Sequence, residues 1–109
     1  MRRAADFRAT VRGGVRAGRP SVVVHASRSP APDVLVGFVV AKSVGNAVTR
    51  NTVKRRLRHL ARGCLIDTPP GSRLVLRATP AAPTADLGRD VPEAWRSALD
   101  KLSRRGGSS

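Results

Sequence analysis

Acidic residues are scarce in this 109-residue chain: seven Asp and Glu stand against twenty-one Lys and Arg, a formal charge of +14. A surplus of that size repels itself unless a polyanion or an anionic surface takes it up, which makes nucleic acid the leading partner on charge alone. The acids are also scattered, at Asp6, Asp33, Asp67, Asp86, Asp90, Glu93 and Asp100, so the paired carboxylates of a two-metal nuclease are missing. Cysteine is nearly absent. Cys64 alone permits no intrachain disulfide, and with two separated His it makes no zinc ligand set, which fits a reducing, cytoplasmic setting. Long apolar runs are missing too: nothing approaches the roughly eighteen residues of a membrane span, and MRRAADFRAT lacks the apolar core of a signal peptide. Nor is there a Gly-rich phosphate loop, since Gly13-Gly14 follows a helical pattern instead of opening one.

What is present fits one small domain, expected over residues 1–103, with 104–109 a disordered tail. In residues 4–12, Ala4, Phe7 and Val11 fall at i, i+3 and i+7, the mark of a short amphipathic helix stopped by the glycine pair. Residues 21–27 (SVVVHAS) and 34–42 (VLVGFVVAK) are β-branched runs separated by RSPAPD, which predicts neighbouring antiparallel strands. Asn46 is placed to cap a helix over 46–62, DTPPGS breaks the chain, and RLVLRA over 73–78 alternates as a strand. A last helix, capped by Asp90, carries Trp95, Ala98, Leu99 and Leu102 along one face. The strand–helix–strand order around residues 34–78 predicts a mixed sheet covered by helices on one face.

The central segment, NAVTRNTVKRRLRHLAR, carries the charge. On a helical wheel Thr49, Val53, Leu57, Leu60 and Cys64 gather into a core stripe, while Arg50, Lys54, Arg58 and Arg62 recur at i, i+4 with Asn51 and Arg55 beside them. Like charges at that spacing cost a helix about 0.2–0.5 kcal/mol per pair, and no acid occurs between residues 34 and 66 to offset them. A rod of cations on one face suits a phosphate backbone, whose released counterions favour binding. His25 and His59 form no convincing acid–base pair, and Cys64 reads as a small core residue. On the strand, Val23 and His25 share one face while Val22, Val24 and Ala26 share the other. With Phe7 nearby, the first face is either a platform for unpaired bases or simply packing for the first helix.

AKSVGNAVTRNTVKRRLRHLAR, over residues 41–62, resembles the signature of the bacterial ribonuclease P protein family, and DFRATVRGG and RLVLRATP resemble the family's first helix and the strand after its basic helix. The resemblance implies an α+β sandwich in the order α-β-β-β-α-β-α, with a left-handed βαβ crossover against a rule obeyed in about 98% of cases. It implies a protein cofactor with no catalytic residues of its own and no metal bound by the chain. Hydrolysis would belong to a catalytic RNA subunit and its Mg2+, which free the mature 5′ end of tRNA. The implied partners are that RNA and precursor tRNA, with no membrane and a monomer when RNA is absent. Matched residue by residue, Lys42, Ser43, Asn46, Arg50, Asn51, Lys54, Arg55, Arg58 and Arg62 fall on the RNA-subunit surface, and Phe7, Val11, Arg12, Val23 and His25 on a cleft for the single-stranded 5′ leader. Two departures stand out. Thr52 replaces the second arginine of the family's Arg-Asn-Arg, and Val11 and His25 stand where aromatic rings are usual. Composition alone leaves a ribosomal or other structural RNA-binding protein as the alternative.

Overall fold

A computed structural model describes the backbone of residues 4–107 and the side chains of residues 9–105. The elements run α1 (Ala4–Gly13), β1 (Val15–Gly18), β2 (Val22–Arg28), β3 (Leu35–Val39), α2 (Ala47–Cys64), β4 (Ser72–Ala78) and α3 (Leu87–Gly107). The sheet has the order β1-β2-β4-β3, with β3 and β4 parallel and the other pairs antiparallel.

The two β-branched runs are therefore not neighbours, because β4 lies between them. β4 buries both of its faces, with Leu74, Leu76 and Ala78 on one and Val75 on the other, and a strand buried twice belongs in the middle of a sheet. The RSPAPD loop has to cross the end of β4 to reach β3, and that end holds it. Gly71 exchanges backbone hydrogen bonds with Ser29 and Pro32, while the Arg73 guanidinium reaches Ser29 Oγ and Asp33 Oδ1, both at 3.2 Å.

Val22, Val24 and Ala26 of β2 and Leu74 and Leu76 of β4 form the floor of the core. Above it α2 sets Val53, Leu57 and Ala61, and α3 sets Leu87, Val91, Ala94, Trp95, Ala98 and Leu102. Burying a side chain of leucine size, such as Leu57, contributes about 1.5–3 kcal/mol. Of the expected α2 stripe, Leu60 and Cys64 are only partly buried, and Ala61, small enough to let the helix sit close, joins the core instead.

Only two helices cover that face. α1 packs against β2 and β4 from the other side, where buried Thr10 meets Ser27, their hydroxyls 2.8 Å apart. The α1–β1 junction is tight enough that a Cβ on Gly14 would lie 2.2 Å from the carbonyl oxygen of Ala26, so only glycine fits.

At the other end of the chain Asp90 does not cap α3. Asp86 does, accepting from the Arg89 amide at 3.1 Å, and Asp90 turns inward. α3 also continues through residues 104–107, where the sequence predicts a disordered tail; residues 108–109 lie outside the described residues.

Candidate nucleic-acid interface

The basic helix is built as its spacing predicts at its start. Asn46 Oδ1 accepts from the Thr49 amide at 2.9 Å, satisfying one of the orphan donors of the first turn. Gly45 before it has φ +157°, and a Cβ there would meet Thr49 Cγ2 at 2.8 Å, so the chain enters the helix at an angle other residues resist. Lys42 and Ser43 lie exposed on the 3-10 turn Lys42–Val44 that leads in.

With Val53 and Leu57 docked on the sheet, the opposite side of α2 carries the cations. Asn51, Arg55, Arg58 and Arg62 are exposed, and Arg50 and Lys54 are half-buried. Arg50, Asn51 and Lys54 line a notch of about 290 Å³ with Val40 and Ala47, and the Nε of Arg50 is buried there without a hydrogen-bond partner. No cation of α2 pairs with a carboxylate among the described residues. Thr52 is exposed and donates its hydroxyl to the Val48 carbonyl at 3.0 Å.

The second group lies on the outer face of the sheet, which the ladder register orders into three transverse rows. Ser27, Arg73 and Leu35 form the row beneath the end of α1. Arg16, His25, Val75 and Gly37 form the next, and Gly18, Val23, Arg77 and Val39 the last. Cover is thinnest over the last row: His25, Val75 and Gly37 of the middle row are buried and only edge-strand Arg16 is exposed there, whereas in the last row Val23 and Val39 are half-buried and Arg77 is exposed. Val11, 37% exposed, and exposed Arg12 lie on α1 beside this opening face. Phe7 falls within α1, and its side chain lies outside the described residues.

His25 departs from the stacking surface its strand position suggests, because the ring is only 5% exposed and its Nε2 has no partner. Burial first, then the Arg77 and Arg16 guanidiniums, hold its pKa below the ordinary 6.5, so the ring is neutral near pH 7. Arg16 and Arg77 themselves are not among the residues that the sequence pattern singles out. RLVLRA offered a signal for one of them, since Arg77 alternates against Leu74 and Leu76, but VRAG is too short and too polar to show as a strand.

Among the described residues no three of His, Cys, Asp and Glu come together. No helix among the described residues is long and apolar enough to cross a membrane.

Comparison with known proteins fits this arrangement of a basic helix beside a half-covered sheet. The structure superposes on the RNase P protein of Staphylococcus aureus with a TM-score of 0.73 at 20% identity, covering 93% of this chain and 92% of that one. For the RNase P protein of Thermotoga maritima the TM-score is 0.72 at 24% identity, covering 95% and 94%. At those identities the likeness establishes the fold. In sequence, the ribonuclease P protein component of Kocuria rhizophila is 50% identical over 108 residues, 96% of this chain and 92% of that protein. That of Streptomyces bikiniensis is 49% identical over 111 residues, covering 91% and 90%. The family model for ribonuclease P matches residues 1–102, and the chain belongs to the ribonuclease P protein family.

Proposed function

We propose a division of labour for this subunit of the tRNA 5′-processing endoribonuclease. The exposed side of α2 binds the catalytic RNA subunit, and the outer sheet face beside α1 receives the 5′ leader of precursor tRNA. The observation that carries the first assignment is the unpaired cationic side of α2. Arg50, Lys54, Arg58 and Arg62 repeat once per turn at about 6 Å, the rise of four residues, on a helix fixed in place by Val53 and Leu57. Arginine forks suit bidentate contact with phosphate, and a rigid array of them loses little freedom on binding. Asn51, Arg55, Lys42, Ser43 and Asn46 extend the surface toward the start of the helix.

The second assignment rests on the sheet. Single strands are held by apolar or aromatic platforms flanked by cations, and Val11, Val23 and Val39 beside Arg12, Arg16 and Arg77 supply that combination with few rings. Within this reading the protein contributes binding and orientation in the cytoplasm. Phosphodiester hydrolysis is left to the RNA subunit and the Mg2+ it holds.

Reconstitution tests it. The chain added to its RNA subunit should restore cleavage of precursor tRNA at low magnesium, and protein with magnesium but no RNA should cut nothing at the mature 5′ end. Specific cleavage by the protein alone, or no stimulation of the RNA, would overturn the reading.

A further inference from the structure

We infer that Arg77 of β4 and Arg16 of β1 form a phosphate-gripping pair on either side of β2, taking the backbone of the leader as it passes beyond the cover of α1. The inference rests on the leader reading above and adds to it two residues and the chemistry they recognise.

Both arginines sit within strands, Arg16 second in β1 and Arg77 next to last in β4, and alternation directs them to the outer face: Arg16 is paired with His25, and Arg77 with both Val23 and Val39. Both are exposed. Arg19, Arg73, Arg89 and Arg104 each meet a carboxylate, whereas among the described residues neither Arg16 nor Arg77 does. An unpaired arginine on a sheet face in an already cationic chain adds repulsion without a folding benefit, so an anion from outside the chain is the natural complement.

Neighbouring strands lie about 4.8 Å apart and two steps along a strand cover about 7 Å, so the two backbone positions stand diagonally about 12 Å apart. A short stretch of single-stranded backbone can bridge that span. Between the two cations lie half-buried Val23 and buried His25, an apolar floor with no exposed ring. Burial first, and then the Arg77 and Arg16 charges, hold the His25 pKa below its ordinary value.

The test uses the holoenzyme reconstituted from this chain and its RNA subunit, with precursor tRNA and mature tRNA as ligands. Arg77→Gln should weaken precursor binding about fivefold, the upper range for one exposed ion contact, and leave mature tRNA unchanged. Its log–log salt slope for precursor should become shallower by about 0.7, the value for one single-strand phosphate. Arg77→Lys should recover most of the affinity, and Arg16→Gln should add to the loss. Trimming the leader to one nucleotide should abolish the difference between wild type and Arg77→Gln. Equal effects on precursor and mature tRNA, or a preference for precursor that survives both substitutions, would overturn the pair. A wild-type holoenzyme that binds precursor and mature tRNA equally would instead overturn the leader reading itself, and this inference with it.

Discussion

The carboxylate of Asp90 accepts two hydrogen bonds from Ser21, one from the hydroxyl at 2.6 Å and one from the amide at 3.1 Å, and so ties the first turns of α3 to the start of β2. Those bonds, with smaller help from Arg89 and against the cost of burial, hold the Asp90 carboxyl below its ordinary 3.8. A carboxyl whose folded pKa is depressed stabilises the fold at every pH above its unfolded value. That stability is lost as pH falls through the folded value. Asp90→Asn should therefore cost about 1–3 kcal/mol in a urea titration at pH 7, and the gap to wild type should shrink below pH 4. A gap of the same size at pH 7 and pH 3 would show that the charge is not what matters.

Leu57 and Arg58 are consecutive residues of α2 with opposite destinations, one fully buried and one exposed. Leu57→Ala should cost about 2–5 kcal/mol of folding stability through reduced burial and the cavity left behind. Arg58→Ala should leave the denaturation midpoint within error. It should weaken binding to the RNA subunit and flatten the salt slope by about 0.7–0.9 for each phosphate it no longer neutralises. Calorimetry and a salt series on the two variants check both halves. Unfolding by Arg58→Ala with an unchanged slope would reverse the assignment of the two faces.

Much of this was legible in the sequence, and the division follows the range of the interactions. The α2 cap at Asn46, its core positions at Val53 and Leu57 and its cationic side are local consequences of a 3.6-residue period. The strand order is not local. Two adjacent apolar runs read as a hairpin, and only the pairing of β4 with both, together with Arg73 holding the crossing loop at Ser29 and Asp33, separates them. The same limit applies to α3, where the sequence reads Asp90 as the cap. Asp86 takes that place, and Asp90 is drawn inward by Ser21, 69 residues away. At the outer sheet face, alternation put Val23 and His25 together, but the burial of His25 depends on non-local packing, and Arg16 belongs to a strand too short to announce itself.

Thr52 stands on α2 where the family pattern has a second arginine, and its hydroxyl is spent on the Val48 carbonyl of its own helix. Such back-bonding slightly destabilises a helix and adds nothing to an RNA surface. Thr52→Arg should leave stability nearly unchanged, tighten binding to the RNA subunit and steepen the salt slope by up to about 0.9. A filter-binding salt series checks it, and an unchanged slope would place position 52 off the RNA surface.

His25 links the outer sheet face to pH, with a sign opposite for folding and for the proposed leader binding. Its folded pKa lies below 6.5, so on acidification the unfolded chain takes up a proton before the native protein does, and the stability it contributes at neutral pH is lost as pH falls below about 6.5. Burial sets most of that depression, but Arg77 and Arg16 add to it, and those are the charges a bound phosphate backbone neutralises. Occupying the face should therefore raise the His25 pKa, and binding should be accompanied by proton uptake. Affinity for a single-stranded leader should then strengthen as pH falls from 7 toward 6, while unliganded stability weakens over the same interval. An NMR titration of the His25 ring, with and without a short single-stranded RNA, reads both effects directly. The free midpoint is expected below 6.5 and the bound midpoint above the free one. A midpoint that RNA leaves unmoved, with Arg77→Gln raising it in the free protein, would show that the arginines face His25 but that the RNA does not reach them.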